Sequence, residues 1–172
     1  MEKNDIFDWN RLGDIAVGRE NLGQEMPVLV YRLLQYTLYN VLEKKMGTAA
    51  ADEIYFQAGF QAGRSFAHNL LNLSTDFPGF VADLQRQLKE LKICILRIEK
   101  ADLETMELRL TVSEDLDCSG LPVSGDTVCA YDEGFIAGIL EQYTGKSFDV
   151  KEIDCWATGD RTCRFDAKAI SK

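Results

Sequence analysis

Apolar residues recur every three or four positions along the first half of the chain, a spacing that predicts amphipathic helices. The clearest run follows Pro27, since proline fits a first helical turn, and it ends at Gly47. Its regularly spaced apolar positions are Val30, Leu33, Leu34, Leu38, Val41 and Leu42. Three tyrosines within 28–42 widen this apolar surface beyond one stripe, which suggests that the helix also contacts a second partner. Two further helices are predicted over 51–73 and 78–89.

The second of these helices contains two glycines, Gly59 and Gly63, among several alanines. Each glycine costs about 1 kcal/mol in a helix interior, so an advantage elsewhere is expected. Small residues on one face allow another backbone to approach closely. We therefore predict close packing against another helix, in preference to a ligand site or self-association.

After Glu90 the apolar period changes from 3.6 to 2, which indicates strands. Apolar and polar residues alternate through 105–113, and the run 92–98 is expected to pair with it through a turn near 100–103. The apolar positions of the alternating run are Met106, Leu108, Leu110 and Val112. Two more strands, 148–156 and 161–168, flank a turn at Thr158-Gly159-Asp160.

Between these hairpins the sequence predicts a helix over 127–143, with Asp126 as its N-cap and Gly145 at its end. The fold class is therefore α+β: N-terminal helices packed on an antiparallel sheet made of two hairpins with an intervening helix. Residues 1–26 are polar and are predicted to form an irregular arm, and 27–172 a single domain.

Composition narrows the possible partners. The 172 residues are 46% hydrophobic and 27% charged, and 28 acidic residues against 19 basic ones give a formal charge of -9. Nucleic acids and anionic membranes select clustered positive charge, so neither is an expected partner. No apolar run approaches the roughly 20 residues of a membrane span, and 1–10 does not resemble a signal peptide. We expect a soluble cytoplasmic protein.

Four of the five cysteines lie in the last third of the chain, which suggests a metal site. Cys155 and Cys163 are equidistant from Gly159, so a symmetric hairpin would make them cross-strand partners with Cβ atoms about 4.5–5.5 Å apart. That separation suits two thiolates sharing zinc at about 2.3 Å. Cys129 falls in the first turn of the predicted helix, where the helix dipole favours a thiolate, and Glu152 could complete four ligands.

Spacing alone leaves alternatives open. In an unbroken strand Glu152 and Cys155 would face opposite sides, so this ligand set requires a bulge or a twist near 154–155. Buried free cysteines behave as small hydrophobes, and a cross-strand pair could instead be a disulfide. Cys118 could be an extra, exchangeable thiol, but we interpret it as an ordinary loop cysteine.

The pattern of Cys129, Glu152-Ile-Asp-Cys155, Gly159-Asp160 and Cys163-Arg-Phe165 resembles the closing signature of the 4-vinyl reductase domain family. Upstream, Gly59-x-x-x-Gly63-Arg-Ser-Phe66 resembles the family's long-helix motif. The resemblance covers roughly residues 27–168. It implies a fold related to haem nitric-oxide sensors and to subunits of the vesicle-tethering TRAPP complex.

In family members that act as sensor domains of aromatic-responsive activators, the equivalent four residues hold a structural zinc ion beside a buried pocket. The resemblance thus implies Zn²⁺ on Cys129, Glu152, Cys155 and Cys163. Phenol-sensing members also hold the ligand hydroxyl with a histidine and a tryptophan, which have no counterpart at matching positions here. A more apolar ligand, or none, is therefore expected. The predicted pocket residues are Met106, Leu108, Phe135, Ile139 and Val150.

The sequence therefore predicts a zinc-containing binding or sensor domain for a small hydrophobic molecule, dimerising with a second copy through 28–42. Three sulfurs and a carboxylate would fill the four zinc positions and leave none for water, so we expect a structural site and no enzymatic activity. Two alternatives stay open. One is a protein-interaction scaffold without ligand, and the other is an accessory factor in tetrapyrrole (vinyl reductase) biosynthesis.

Overall fold

The structure, a computed structural model, describes residues 7–170 and confirms the predicted α+β class. The helices are α1 (Ile15–Gly18), α2 (Val28–Met46), α3 (Thr48–Leu70), α4 (Phe77–Glu90) and α5 (Ala130–Thr144). The strands are β1 (Ile95–Asp102), β2 (Glu107–Ser113), β3 (Phe148–Asp154) and β4 (Cys163–Ala169). Short 3₁₀ turns cover Trp9–Leu12 and Trp156–Thr158. The four strands form one antiparallel sheet in the order β1-β2-β4-β3.

The core lies between one face of this sheet and two helices, α4 and α5. Alternate residues of the strands point into it, as period-2 patterning requires. The buried strand residues include Leu108, Leu110, Val112, Val150 and Phe165. The α4 residues Phe80, Leu84 and Leu88 cover part of that face, as their helical spacing predicts. On its other side α5 packs against α3, which in turn contacts α2.

Glycines bring α3 and α5 into backbone contact. A Cβ atom built on Gly59 would overlap the carbonyl oxygen of Tyr131, and one on Gly134 would overlap that of Phe56. Gly63 and Gly138 are equally crowded. The prediction of close helix packing is confirmed, and the partner is a second glycine pair on α5.

The bounds predicted for α2 are confirmed, but its apolar stripe does not enter the core. Val30, Leu33, Leu34, Leu38 and Val41 are all exposed. The helix is attached instead by polar side chains on its other faces. Among the described helices, none is long and apolar enough to cross a bilayer.

Two local predictions in the last third are wrong. The helix begins at Ala130 rather than at residue 127, with Cys129 in the N-cap position, because the backbone N–H groups of Ser124 and Gly125 donate to Ala157 O at 2.9 and 3.0 Å. Cys155 is not the cross-strand partner of Cys163. The strand ends at Asp154 and the 3₁₀ turn follows, while Cys163 pairs with Val112 of β2.

The predicted first hairpin is also displaced. Its turn occupies 103–106 instead of 100–103, so Met106 lies in the turn, with a left-handed backbone (φ 56°), and not in the strand.

Candidate metal centre

Four buried cysteine side chains converge behind the N-terminus of α5. Cys118, Cys129, Cys155 and Cys163 offer sulfur atoms that all lie within 4.8 Å of one another. The Sγ of Cys129 is 3.8 Å from that of Cys155 and 4.0 Å from that of Cys163, and the Cys118 and Cys163 sulfurs are 3.0 Å apart. Soft thiolate donors in a compact group are the set that zinc binds in structural sites.

Each sulfur comes from a different kind of local structure. Cys163 opens β4, Cys129 is the N-cap residue of α5, and Cys118 lies in the loop that follows β2. Cys155 begins the 3₁₀ turn, where its backbone N–H donates to Thr158 Oγ1 at 3.1 Å. The cluster thus connects the sheet, a loop, a tight turn and α5.

The interpretation of Cys118 as an ordinary loop cysteine is wrong. Its side chain is fully buried and hydrogen-bonds within the cluster. The signal available in the sequence was the Asp115-x-Asp117-Cys118 turn, in which the carboxylate of Asp115 accepts hydrogen bonds from the two following N–H groups. That turn holds Cys118 in a fixed orientation.

Glu152 lies beside the cluster, and its parity with Cys155 is explained by the backbone. The register of β3 against β4 shifts between Glu152 and Asp154, so a bulge brings Glu152 and Cys155 to the same side. Glu152 Oε2 accepts a hydrogen bond from the Cys129 N–H at 3.3 Å, while buried Oε1 has no partner among the described residues. Burial raises the pKa of Glu152 to about 8. Its assignment as a metal ligand stays a prediction.

The thiols differ in acidity because they share hydrogen bonds. Contacts with Cys118 and its neighbours lower the pKa of Cys155, and similar contacts raise the pKa of Cys129. Negative charge in this buried group is thus concentrated on one sulfur. A divalent cation would favour ionisation of all of them, which is why the donor set fits a metal.

A cavity of about 40 Å³ lies next to the cluster, between the sheet and α4 and α5. Leu108, Phe135 and Ile139 line it as predicted, whereas Met106 and Val150 are not among its lining residues. The reason is position. Met106 lies in the β1–β2 turn, and Val150 is buried in β3.

One end of this apolar cavity is polar. Asp115 and Asp132 both reach it, and sequence analysis had singled out neither as a pocket residue. Oδ2 of Asp132 is shut off from solvent without a hydrogen-bond partner in the described part of the chain. Burial raises the pKa of Asp132 well above its ordinary value. Asp132 lies three residues after Cys129, so cavity and cluster share the first turn of α5.

Comparison with known proteins gives a family match over the last third and fold matches over most of the chain. Residues 108–169 match the model of the 4-vinyl reductase domain. The uncharacterized protein MJ1642 of Methanocaldococcus jannaschii is 28% identical over 151 residues, covering 88% of this chain and 83% of that protein.

Among solved structures, the phenol-responsive sensory domain of the transcription activator PoxR with phenol superposes with a TM-score of 0.66 at 17% identity, covering 85% of this chain and 77% of that one. A vinyl-4-reductase family protein from Methanocaldococcus jannaschii gives 0.62 at 15% identity over 96% and 98% of the two chains.

The wider fold relationships are confirmed as well. A trafficking protein particle complex subunit 3 from Naegleria fowleri has a TM-score of 0.59, and an H-NOX protein from S. oneidensis has 0.53. The resemblance to the 4-vinyl reductase domain family is thereby confirmed, with residues 108–169 as the segment that matches the family's domain model.

Proposed function

We propose that this protein is a binding module of the sensor type, which takes up a small hydrophobic molecule beneath α5 and is stabilised by zinc at the cysteine cluster. The observation that carries the proposal is the shared helix. Cys129 belongs to the cluster, and Asp132, Phe135 and Ile139 follow on α5 along the cavity wall. Metal occupancy and pocket shape would therefore be coupled through one rigid element.

The size of the cavity constrains how a ligand enters. A dry cavity of about 150 Å³ accommodates benzene, whereas this one measures about 40 Å³. An aromatic ligand must therefore move α4 or α5 away from the sheet. The fold supports such a site, because the PoxR sensory domain, which shares it, is a phenol-responsive one.

The polar end of the cavity sets the chemical class of ligand. An ionised Asp132 needs a hydrogen-bond donor at its buried Oδ2, and burying a charge without one is strongly unfavourable. A hydroxyl or ammonium group on a small apolar body would supply that donor. We therefore propose an apolar ligand with a donor head group, in place of the wholly apolar molecule that the sequence suggested.

A ligand series of one ring and three head groups tests this proposal. Thermal unfolding of the metal-loaded protein is measured with toluene, phenol and benzylamine. A ligand at 100 times its Kd raises the free energy of unfolding by about 2.7 kcal/mol. We expect phenol and benzylamine to stabilise more than toluene. Equal responses to all three would contradict the role of Asp132, and no response to any would contradict the pocket.

Two matched variants locate the binding site. Ile139 lines the cavity, whereas Ile153 is 43% exposed on β3. Ile139→Phe fills the cavity and should abolish ligand stabilisation, while Ile153→Phe should retain it. Native mass spectrometry of the same samples counts bound ligand directly, so the result does not depend on the stability of either variant.

The exposed face of α2 favours a second function, protein interaction. Five apolar side chains face solvent there, a pattern typical of an interaction surface. We propose that this face pairs with a second copy of the chain. A dimer without ligand would indicate a scaffold, and a dimer that binds the donor-bearing ligands would indicate a dimeric sensor.

A further inference from the structure

We propose that Cys118 supplies the fourth metal ligand, so that the ion is held by four sulfurs, and that Glu152 acts outside the coordination sphere. This inference rests on the metal proposed above and concerns only which atoms bind it. It replaces the carboxylate in the predicted ligand set with a thiolate from the loop after β2.

The distances between sulfurs favour this assignment. Four sulfurs at about 2.3 Å from zinc at the corners of a tetrahedron are about 3.8 Å apart. The Cys129 sulfur already lies 3.8 Å from that of Cys155 and 4.0 Å from that of Cys163. The Cys118 and Cys163 sulfurs, 3.0 Å apart, need to separate by less than about 1 Å.

The loop that carries Cys118 is fixed by contacts from two directions. Asp115 Oδ2 accepts from the Cys118 N–H at 2.8 Å. From α2, Arg32 donates to Leu116 O at 2.8 Å and to Ser119 O at 2.9 Å. Tyr31 donates to Asp117 Oδ1 at 2.7 Å. These bonds hold the thiol in place, so little conformational entropy is lost when it binds an ion.

Glu152 is engaged elsewhere. Its Oε2 accepts the Cys129 N–H, and its own backbone N–H donates to Glu133 Oε1 at 2.8 Å. The mutual 4.8 Å separation that unites the four sulfurs does not include its oxygens. Both candidate ligand sets carry the same formal charge, so geometry decides between them. Glu152 is therefore a positioning residue that orients Cys129.

The number of sulfurs around the ion tests the assignment. X-ray absorption at the zinc edge of the full-length protein counts sulfur neighbours, and the cobalt-substituted protein reports them through sulfur-to-metal charge-transfer bands. We expect four sulfurs in the wild type, three in Cys118→Ser and four in Glu152→Gln. Cys94→Ser is the matched control, since Cys94 is buried outside the cluster, and should also keep four.

Metal affinity provides the second measurement. Loss of an orienting residue weakens metal binding by about 10–100-fold, and this is the effect expected for Glu152→Gln. Cys118→Ser should weaken it further. Three sulfurs and an oxygen in the wild type would overturn the role of Cys118 while leaving the proposed metal intact. A wild type that binds neither zinc nor cobalt would instead overturn the metal itself. The wild-type sulfur count needs no variant to fold.

Discussion

Helix α5 is held at two places by different physical means. At its middle, Gly134 and Gly138 face Gly59 and Gly63 of α3, and the two backbones touch. At its N-terminus, Cys129 joins sulfurs from three other segments. The first contact is purely steric and is complete within the polypeptide. The second brings together thiols that repel one another once ionised and so depends on a cation.

This difference separates what anchors the fold from what can respond to conditions. A glycine contact changes only with the sequence, whereas a sulfur cluster changes with metal supply and redox state. The cavity lies between the two, since Asp132, Phe135 and Ile139 occupy the α5 turns from the cluster to the glycines. An ion at one end of the helix would therefore act on the pocket against a fixed point at the other.

The largest effect is expected from breaking the sulfur cluster. Cys155→Ser should release the metal and lower the free energy of unfolding by several kcal/mol, part of the about 10–16 kcal/mol that structural zinc supplies to small zinc domains. Metal content by elemental analysis and denaturant unfolding measure the two effects. Unchanged unfolding of a metal-loaded wild type and its Cys155→Ser variant would contradict a structural metal.

The steric contact should respond less strongly. Gly59→Ala places a Cβ against the carbonyl oxygen of Tyr131, so the helices must separate, at a cost of about 2–3 kcal/mol. Gly18→Ala is the control, because open space surrounds that position and the change should be neutral or slightly stabilising. Denaturant unfolding measures both. Metal stoichiometry should stay unchanged, and stabilisation by Gly59→Ala would show that the contact is looser.

A smaller effect is expected where α2 fixes the Cys118 loop. Tyr31→Phe removes the donor to Asp117, leaves a buried carboxylate less satisfied and should cost about 1–3 kcal/mol. It should also speed the transfer of metal to a chelator. Tyr39→Phe is the matched variant, since Tyr39 donates to Asp52 away from the cluster. Equal transfer rates in both variants would separate the loop contact from the metal.

The sequence predicted the steric region more completely than the chemical one. Glycine spacing on α3 indicated close packing because helical geometry places Gly59 and Gly63 on one face. The partner pair on α5 has the same spacing, Gly134 and Gly138, and was recognisable by the same rule. Period alone likewise predicted the strands, because buried residues alternate wherever one face of a sheet is covered.

The cluster was only partly predictable because it depends on loops. The symmetric-hairpin argument paired Cys155 with Cys163, but a bulge and a 3₁₀ turn shift the register. Cys118 was assigned to an ordinary loop because its approach to Cys163 depends on a side-chain turn at Asp115 and on contacts from α2, which are distant in sequence. Local periodicity carries no information about such contacts.

The exposed face of α2 lies outside both contacts on α5, so changing it should affect neither. Leu34 is 68% exposed, and Leu34→Glu should leave the free energy of unfolding of the monomer within about 0.5 kcal/mol of the wild type. We expect the wild type to elute as a dimer by size exclusion with light scattering, and Leu34→Glu to elute as a monomer with full metal content. Leu103→Glu, an equally conspicuous exposed leucine in the β1–β2 turn, should stay dimeric. A wild type that is monomeric at all concentrations would assign the apolar face of α2 to a different partner, because burial against a second copy would then not account for it.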